Sequence, residues 1–284
     1  MCEFCTQHGE GKKWYLQMKN YADELIYQEL SARQQELTGV ATRTEWLARF
    51  FENDILPAMG LVPLPDAPAP PPDPHPSDEE ILARRKVTHF GQVAPIEDVE
   101  QVLELADSIT RLPCGCRLIT TGKTNQRYCF GLGVDKWGIL GKFPDAAASL
   151  EVLDKDEARR LFRAYDQEGL VHSLWADLTP YVAVICNCDH DCLPYRGYIE
   201  QGGSPRFFRA EYVCQVDWDV CTGCRSCMSQ CQFGAQFYSS ALARVYIDPA
   251  RCFGCGVCRT ACPSGAISLR PRHTVAEAAN RWLR

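Results

Sequence analysis

The chain has 284 residues, 46% of them hydrophobic and 23% charged, with a formal net charge of −6. That length allows about two domains with ample core, and the acidic balance gives no electrostatic pull toward nucleic acid or an anionic membrane. The longest aliphatic run, Tyr181–Cys186, is far too short to span a bilayer. The N-terminal Met-Cys-Glu-Phe-Cys-Thr-Gln-His lacks the charged and apolar regions of a secretory leader. Seventeen cysteines in such a chain point to metal ligation rather than disulfides, and to a reducing cytoplasm.

In chain order, residues 1–62 read as a helical arm. Trp14, Met18, Tyr21, Leu25 and Ile26 recur at helical spacing, and Trp46, Leu47, Phe50 and Phe51 repeat the pattern, as for a helical pair packed on a larger body. Ahead of them stands Cys2-x-x-Cys5 with His8 nearby, which fits half a metal site, a redox dithiol or a reactive hook. Residues 63–76 hold eight prolines in fourteen positions and read as a semi-stiff linker.

Residues 77–205 form a cysteine-rich α+β domain. Ser77 with Glu80 caps one helix, and Pro95, Glu97 and Asp98 open a second. The inward stripe of that second helix is Val99, Val102, Leu103, Ala106 and Ile109, and Leu112-Pro113 ends it just before Cys114-Gly115-Cys116. A glycine-rich loop carries Cys129. Thr121-Gly122-Lys123-Thr124 fails as a phosphate loop because Arg117 stands at the first glycine position, and Gly131-x-Gly133 fails as a dinucleotide fingerprint at Lys136. A third helix spans Asp154 to Glu168, capped by Glu157 and closed by Gly169. Two short strands follow, Leu170-Val171-His172 and Tyr181–Ile185, the second running into Cys186-Asn187-Cys188 with Asp189, His190 and Cys192 beyond. Helix, strand, turn and strand together resemble the end of a winged-helix domain. Residues 201–211 read as a loop around Gly202, Gly203 and Pro205.

Residues 206–272 open on a strand, Tyr212–Val216, with Cys214 as a packed thiol, and then carry the densest signal. Cys221, Cys224, Cys227 and Cys231 are spaced two-two-three, and after twenty residues Cys252, Cys255, Cys258 and Cys262 repeat it. Shifting the first run by 31 residues also lays Gly223 on Gly254, Gly234 on Gly265 and Ala235 on Ala266. This is thiolate spacing for cubane iron–sulfur clusters, with glycines letting backbone approach the sulfurs. A pair of four-thiol zinc ribbons is the alternative, and the matched glycines argue against it. The segment closely resembles the bacterial two-cluster ferredoxins. The resemblance implies two 4Fe–4S clusters with exchanged fourth ligands: Cys221, Cys224, Cys227 and Cys262 for one, Cys252, Cys255, Cys258 and Cys231 for the other. Gln232 stands where the first repeat usually has proline, which alters the turn or offers a hydrogen bond to a sulfur. Residues 273–284 read as a terminal helix, capped by Thr274 and Glu277 and carrying Trp282 and Leu283.

Cys114, Cys116, Cys129, Cys186, Cys188 and Cys192 make a second constellation, expected to meet in one thiol-lined pocket. The Leu-Pro-Cys-Gly-Cys-Arg, Cys-Phe-Gly-Leu-Gly, Glu-Gly-Leu-Val-His and Ile-Cys-Asn-Cys segments resemble a family of ferredoxin-fused iron–sulfur proteins from anaerobes, which implies a redox role. The readings for this pocket are a third iron–sulfur cluster, with Cys2 and Cys5 as contributors, a structural zinc site, or partly unligated thiols. The leading function is electron transfer as a subunit or partner of a larger anaerobic oxidoreductase. The alternatives are a redox-responsive regulator using the winged-helix-like unit, or an enzyme with a catalytic metal beside His172 or His190.

Overall fold

The computed structural model describes residues 13–65, 77–88, 91–196 and 207–283. Cys2, Cys5, His8, positions 66–76 of the linker, and Gly202, Gly203 and Pro205 lie outside them. The chain mixes helix and sheet. Seven strands, β1 (Gly91–Val93), β2 (Ile109–Leu112), β3 (Cys129–Leu132), β4 (Glu151–Leu153), β5 (Val171–Ala176), β6 (Val182–Cys188) and β7 (Phe207–Phe208), form one sheet in the order β4-β2-β3-β6-β5-β1-β7. Every pairing is antiparallel except β1 with β7.

The helices are α1 (Ala32–Thr38), α2 (Arg43–Phe50), α3 (Leu56–Met59), α4 (Asp78–Thr88), α5 (Ile96–Leu105), α6 (Gly115–Thr121), α7 (Pro144–Ser149), α8 (Lys155–Glu168) and α9 (Leu193–Tyr195). On one face of the sheet, Val99, Val102 and Leu103 of α5 and Ala158 and Phe162 of α8 pack on Phe130, Leu174 and Ile185. On the other, Leu47, Phe51, Ile55 and Leu56 pack on Leu112, Ala183 and Val184. The N-terminal arm therefore helps build the second core.

Several elements differ from expectation. Trp14–Ile26 makes three short 3-10 turns rather than a helix. Side-chain bonds override the apolar period there: Asn20 Nδ2 donates to the Trp14 carbonyl at 2.7 Å, and Tyr15 Oη donates to Asp98 Oδ2 at 2.7 Å. Met18, expected in the inward stripe, is 66% exposed. The second arm helix widens to a π turn over Phe51–Ile55, just before Pro57, whose ring would clash with the Asn53 carbonyl in a regular ladder.

The helix expected to reach Leu112 stops at Leu105, and Ile109 begins β2, where it packs in the core as a β-branched strand residue. Cys114 and Cys116 accordingly stand at the start of α6, not at a helix's close. The glycine-rich loop around Cys129 is strand β3 in the middle of the sheet, because small Gly131 lets Val134 and Leu112 close over it. Within the expected 201–211 loop, Phe207–Phe208 pairs with β1. The unit likened to a winged helix is α8, β5 and β6, whose strands lie inside the seven-stranded sheet rather than in a free wing. The expected terminal helix is a 3-10 turn, Arg272–Thr274, followed by turns. So short a segment is marginal as a helix, and the Trp282 carbonyl is instead bound by the Arg209 amide at 2.9 Å.

Two of the caps read from sequence hold, and the one at Thr274 falls with its helix. Ser77 and Glu80 bond reciprocally, and Asp154 accepts from the Glu157 amide at 2.7 Å. The C-terminal unit pairs β8 (Tyr212–Val216) with β11 (Ile267–Pro271), and β9 (Gln236–Ser239) with β10 (Arg244–Ile247). Each cysteine run ends in a 3-10 turn, Ser226–Gln230 in the first repeat and Val257–Arg259 in the second.

Candidate metal centre

The duplicated cysteine runs fold as near copies. Gly223 and Gly254 have φ of +71° and +74°, and an added Cβ would lie 2.1 Å from the Ala243 carbonyl oxygen or 2.0 Å from that of Tyr212. Only glycine fits such contacts. The amides of Ala235 and Ala266 each point at a sulfur four residues back, Cys231 Sγ and Cys262 Sγ, both at 3.3 Å. Cys252 Sγ accepts from the amides of Cys214 at 3.3 Å and Gly254 at 3.4 Å. Amides aimed at sulfur favour thiolate, the form that ligates iron.

Each fourth cysteine lies beside thiols of the other run. Cys262 lines one small cavity with Cys221, Cys224 and Cys227. Cys231 packs against the buried cluster that holds Cys255, whose thiol burial pushes up. Cys214 is the packed thiol expected, buried in one core with Cys252 and Cys258. Behind Cys252 lie two buried arginines. Arg272 donates to the carbonyls of Cys252 at 2.8 Å and Ala210 at 2.6 Å, and Arg209 stacks 4.4 Å over the Phe253 ring. Burial brings the Arg272 pKa down to about 10, still charged at neutral pH.

The second constellation also converges. Side chains alternate along a strand, so Cys186-Asn187-Cys188 places both sulfurs on one face of β6 and Asn187 on the other. Cys129 faces Cys186 across the β3–β6 ladder, sulfur to sulfur at 3.8 Å. Opposite stand Cys114 and Cys116 at the start of α6, and Cys192 just before α9. All six line one cavity of about 340 Å³, walled by Trp46, Phe50, Ile55 and Trp175, with Asp54 and Asp177 at its edge. Burial pushes the Asp54 carboxyl up to about 6. Crowding splits the acidities of these thiols: Cys186 and Cys192 hold the Cys188 thiol down, while Cys114 pushes Cys116 and Cys192 up. Among the described residues, no three Cys, His, Asp or Glu side chains converge as ligands of a single ion do. Neither do the ferredoxin sulfurs, and a cubane, with each thiolate on its own iron, needs no such point.

Sequence reading missed the residues that clamp the cavity. Arg117 is buried with its guanidinium 4.0 Å over the Tyr128 ring, 3.0 Å from Asp189 and 3.7 Å from Asp191. The acid after Cys188 thus anchors its loop to α6. The adjacent Cys-Arg and Cys-Asp pairs were the available signal. His172 is no open ligand: it is fully buried, Nδ1 2.7 Å from Asn187 Oδ1, on the face away from the thiols. His190 is exposed. Gln232 bonds no sulfur among the described residues; its Nε2 donates to the carbonyls of Gly169 at 2.7 Å and Cys188 at 3.4 Å. Cys2 and Cys5 lie outside the described residues.

Residues 220–266 match the family described as the 4Fe-4S dicluster domain. The chain is 38% identical over 60 residues to an archaeal-type glutamate synthase [NADPH] of Thermotoga sp. (strain RQ2), covering 21% of this chain and 12% of that protein. It is 35% identical over 55 residues to indolepyruvate oxidoreductase subunit IorA of Pyrococcus horikoshii, 19% of this chain and 8% of that protein. Over 58 residues it is 41% identical to a component of the ion-translocating oxidoreductase complex of Methanosarcina acetivorans, 20% of each chain. The chain thus spans only a small fraction of the length of the curated relatives it matches, and within it an iron–sulfur ferredoxin domain is shown.

Proposed function

We propose that the chain carries electrons to or from a larger oxidoreductase, through two 4Fe–4S clusters in residues 206–272 and a third iron–sulfur cluster in the six-thiol cavity. The first cluster is held by Cys221, Cys224, Cys227 and Cys262, the second by Cys252, Cys255, Cys258 and Cys231. Cys114, Cys116, Cys129, Cys186, Cys188 and Cys192 supply the third, which needs four thiolates, so two are spare. The observation that carries this reading is six thiols around one cavity beside two duplicated cysteine runs, each with an amide aimed at sulfur. Such clusters pass single electrons, at potentials set by exposure, net charge and hydrogen bonds to sulfur. The relatives' names, all of redox enzymes or their subunits, support an oxidoreductase partner. Among the described residues no helix is long and apolar enough to cross a membrane, and the reducing chemistry of so many thiols suits a cytoplasmic protein.

A zinc ion in the cavity is the second reading. Two sulfurs on a tetrahedral zinc with bonds of about 2.3 Å lie about 3.8 Å apart, the Cys129–Cys186 separation. Six thiols around 340 Å³ exceed what one such ion fills.

The test of function is an anaerobic redox titration of the full chain, mixed with a ferredoxin-accepting oxidoreductase. Reversible bleaching, electron delivery to the acceptor and no turnover without it are expected. Steady turnover of a small molecule by the chain alone would instead make it an enzyme.

A further inference from the structure

Among the described residues, the ferredoxin unit meets the cavity through one half only. Gln232, next to Cys231, donates to the Cys188 carbonyl and so links a residue beside one cluster's ligand to a ligand residue of the cavity. Its stronger bond, to the Gly169 carbonyl, holds the turn where α8 meets β5. The fit there is tight: a Cβ on Gly169 would lie 1.7 Å from Gln230 Oε1. Thr260 Oγ1 donates to the Asp166 carbonyl at 3.3 Å, and Arg259 grips Glu97 through both nitrogens at 2.6 and 2.8 Å. Under this polar seam Cys188, Cys192, Tyr195, Phe233, Phe253 and Cys255 share one buried cluster, with the two Phe rings stacked at 4.0 Å. Among the described residues the Cys221 half has no such junction. Its cavity is walled by Val216, Val245 and Ile267 of its own unit, Cys224 is exposed, and Trp218 and Val220 beside it are 46% and 44% exposed.

We infer that the cavity exchanges electrons with the Cys231–Cys252–Cys255–Cys258 set, through the Gln232 bridge and the Phe233–Phe253 wall, leaving the Cys221 set to meet an external redox partner. The inference rests on the three-cluster reading above. Electronic coupling falls steeply with distance and is carried better by bonded and packed atoms than by gaps, and a buried, preorganised junction reorganises little on transfer. In each step one electron leaves one cluster and enters the next, and no bond or proton moves. A proline at position 232, usual for the motif, has no side-chain donor and would remove the bridge.

The test uses the full chain, anaerobically loaded, and begins with iron: about twelve per chain are expected for three cubanes. Fewer, with zinc in the cavity, overturns the three-cluster reading and this inference with it. With iron complete, the paramagnetic resonance of the reduced cavity cluster should be broadened by a neighbouring spin. That broadening should survive Cys224→Ser and vanish in Cys255→Ser. The opposite pattern, or no broadening at full iron, overturns the junction alone. Gln232→Ala should keep iron and broadening yet slow electron arrival in the cavity severalfold after flash reduction; an unchanged rate overturns the bridge.

Discussion

Gly223 and Gly254 stand 31 positions apart and face the same steric demand, a carbonyl oxygen about where a Cβ would be. Gly254→Ala should therefore cost clearly more than the ~1–2 kcal/mol of a left-handed backbone alone. Gly122 has the same φ, +71°, but open space around it, so Gly122→Ala should stay near that backbone cost. Anaerobic thermal unfolding of the two variants checks the difference; equal losses would mean that the carbonyl contact does not matter. These glycines were legible because their repeat is written in sequence. Arg117 was not, because its partners Asp189 and Asp191 are some 70 positions away and meet it only when α6 lies beside the β6 end. Arg117→Met should cost about 1–3 kcal/mol by leaving Asp189 without its partner and should lower metal retention in the cavity. Unfolding and metal content unchanged from wild type would remove the arginine from the clamp.

At the scale of elements, residue pattern identified what local chemistry decides. The caps at Ser77 and Asp154 and the Cys-x-Cys on one strand face follow from side-chain reach and strand pleat. The failures came where distant contacts decide. Local apolar spacing makes the segment from Trp14 to Ile26 helical, yet the polar tips of Trp14 and Tyr15 are fixed by Gln92 and Asp98 about 80 residues on. Ile109 fits a helix stripe, but the β2–β3–β4 ladder gives it strand partners. The crossing of fourth cysteines belongs to this scale and makes a sharp prediction. Cys231→Ser should perturb the cluster of Cys252, Cys255 and Cys258 and leave that of its own run. Site-assigned paramagnetic NMR showing only the Cys221 cluster altered would contradict the crossing.

At the scale of the molecule, the sequence pointed to a thiol-rich domain beside a ferredoxin, and the structure adds how they join. Apolar spacing pointed to an arm packed on the larger body, and the structure adds where: α2 and the π turn roof the thiol cavity with Trp46, Phe50 and Ile55. No spacing rule connects those apolar residues to cysteines 59 to 146 positions later. The regulator alternative also belongs to this scale. With a net charge of −6 and basic residues of α8 paired to acids, Arg159 to Glu104 and Asp156 and Arg163 to Glu100, the chain should show no sequence-specific DNA binding at physiological salt. A gel-shift titration at that salt checks this, and a nanomolar, sequence-selective shift would revive the regulator.

The central claim is that the six-thiol cavity is a third electron-carrying site, and the metal content of the intact, anaerobically purified chain tests it most directly. Iron, sulfide and zinc measured together should give about twelve irons, a matching sulfide count and no stoichiometric zinc. About eight irons with one zinc per chain would contradict the claim and make the cavity a structural support for a two-cluster wire.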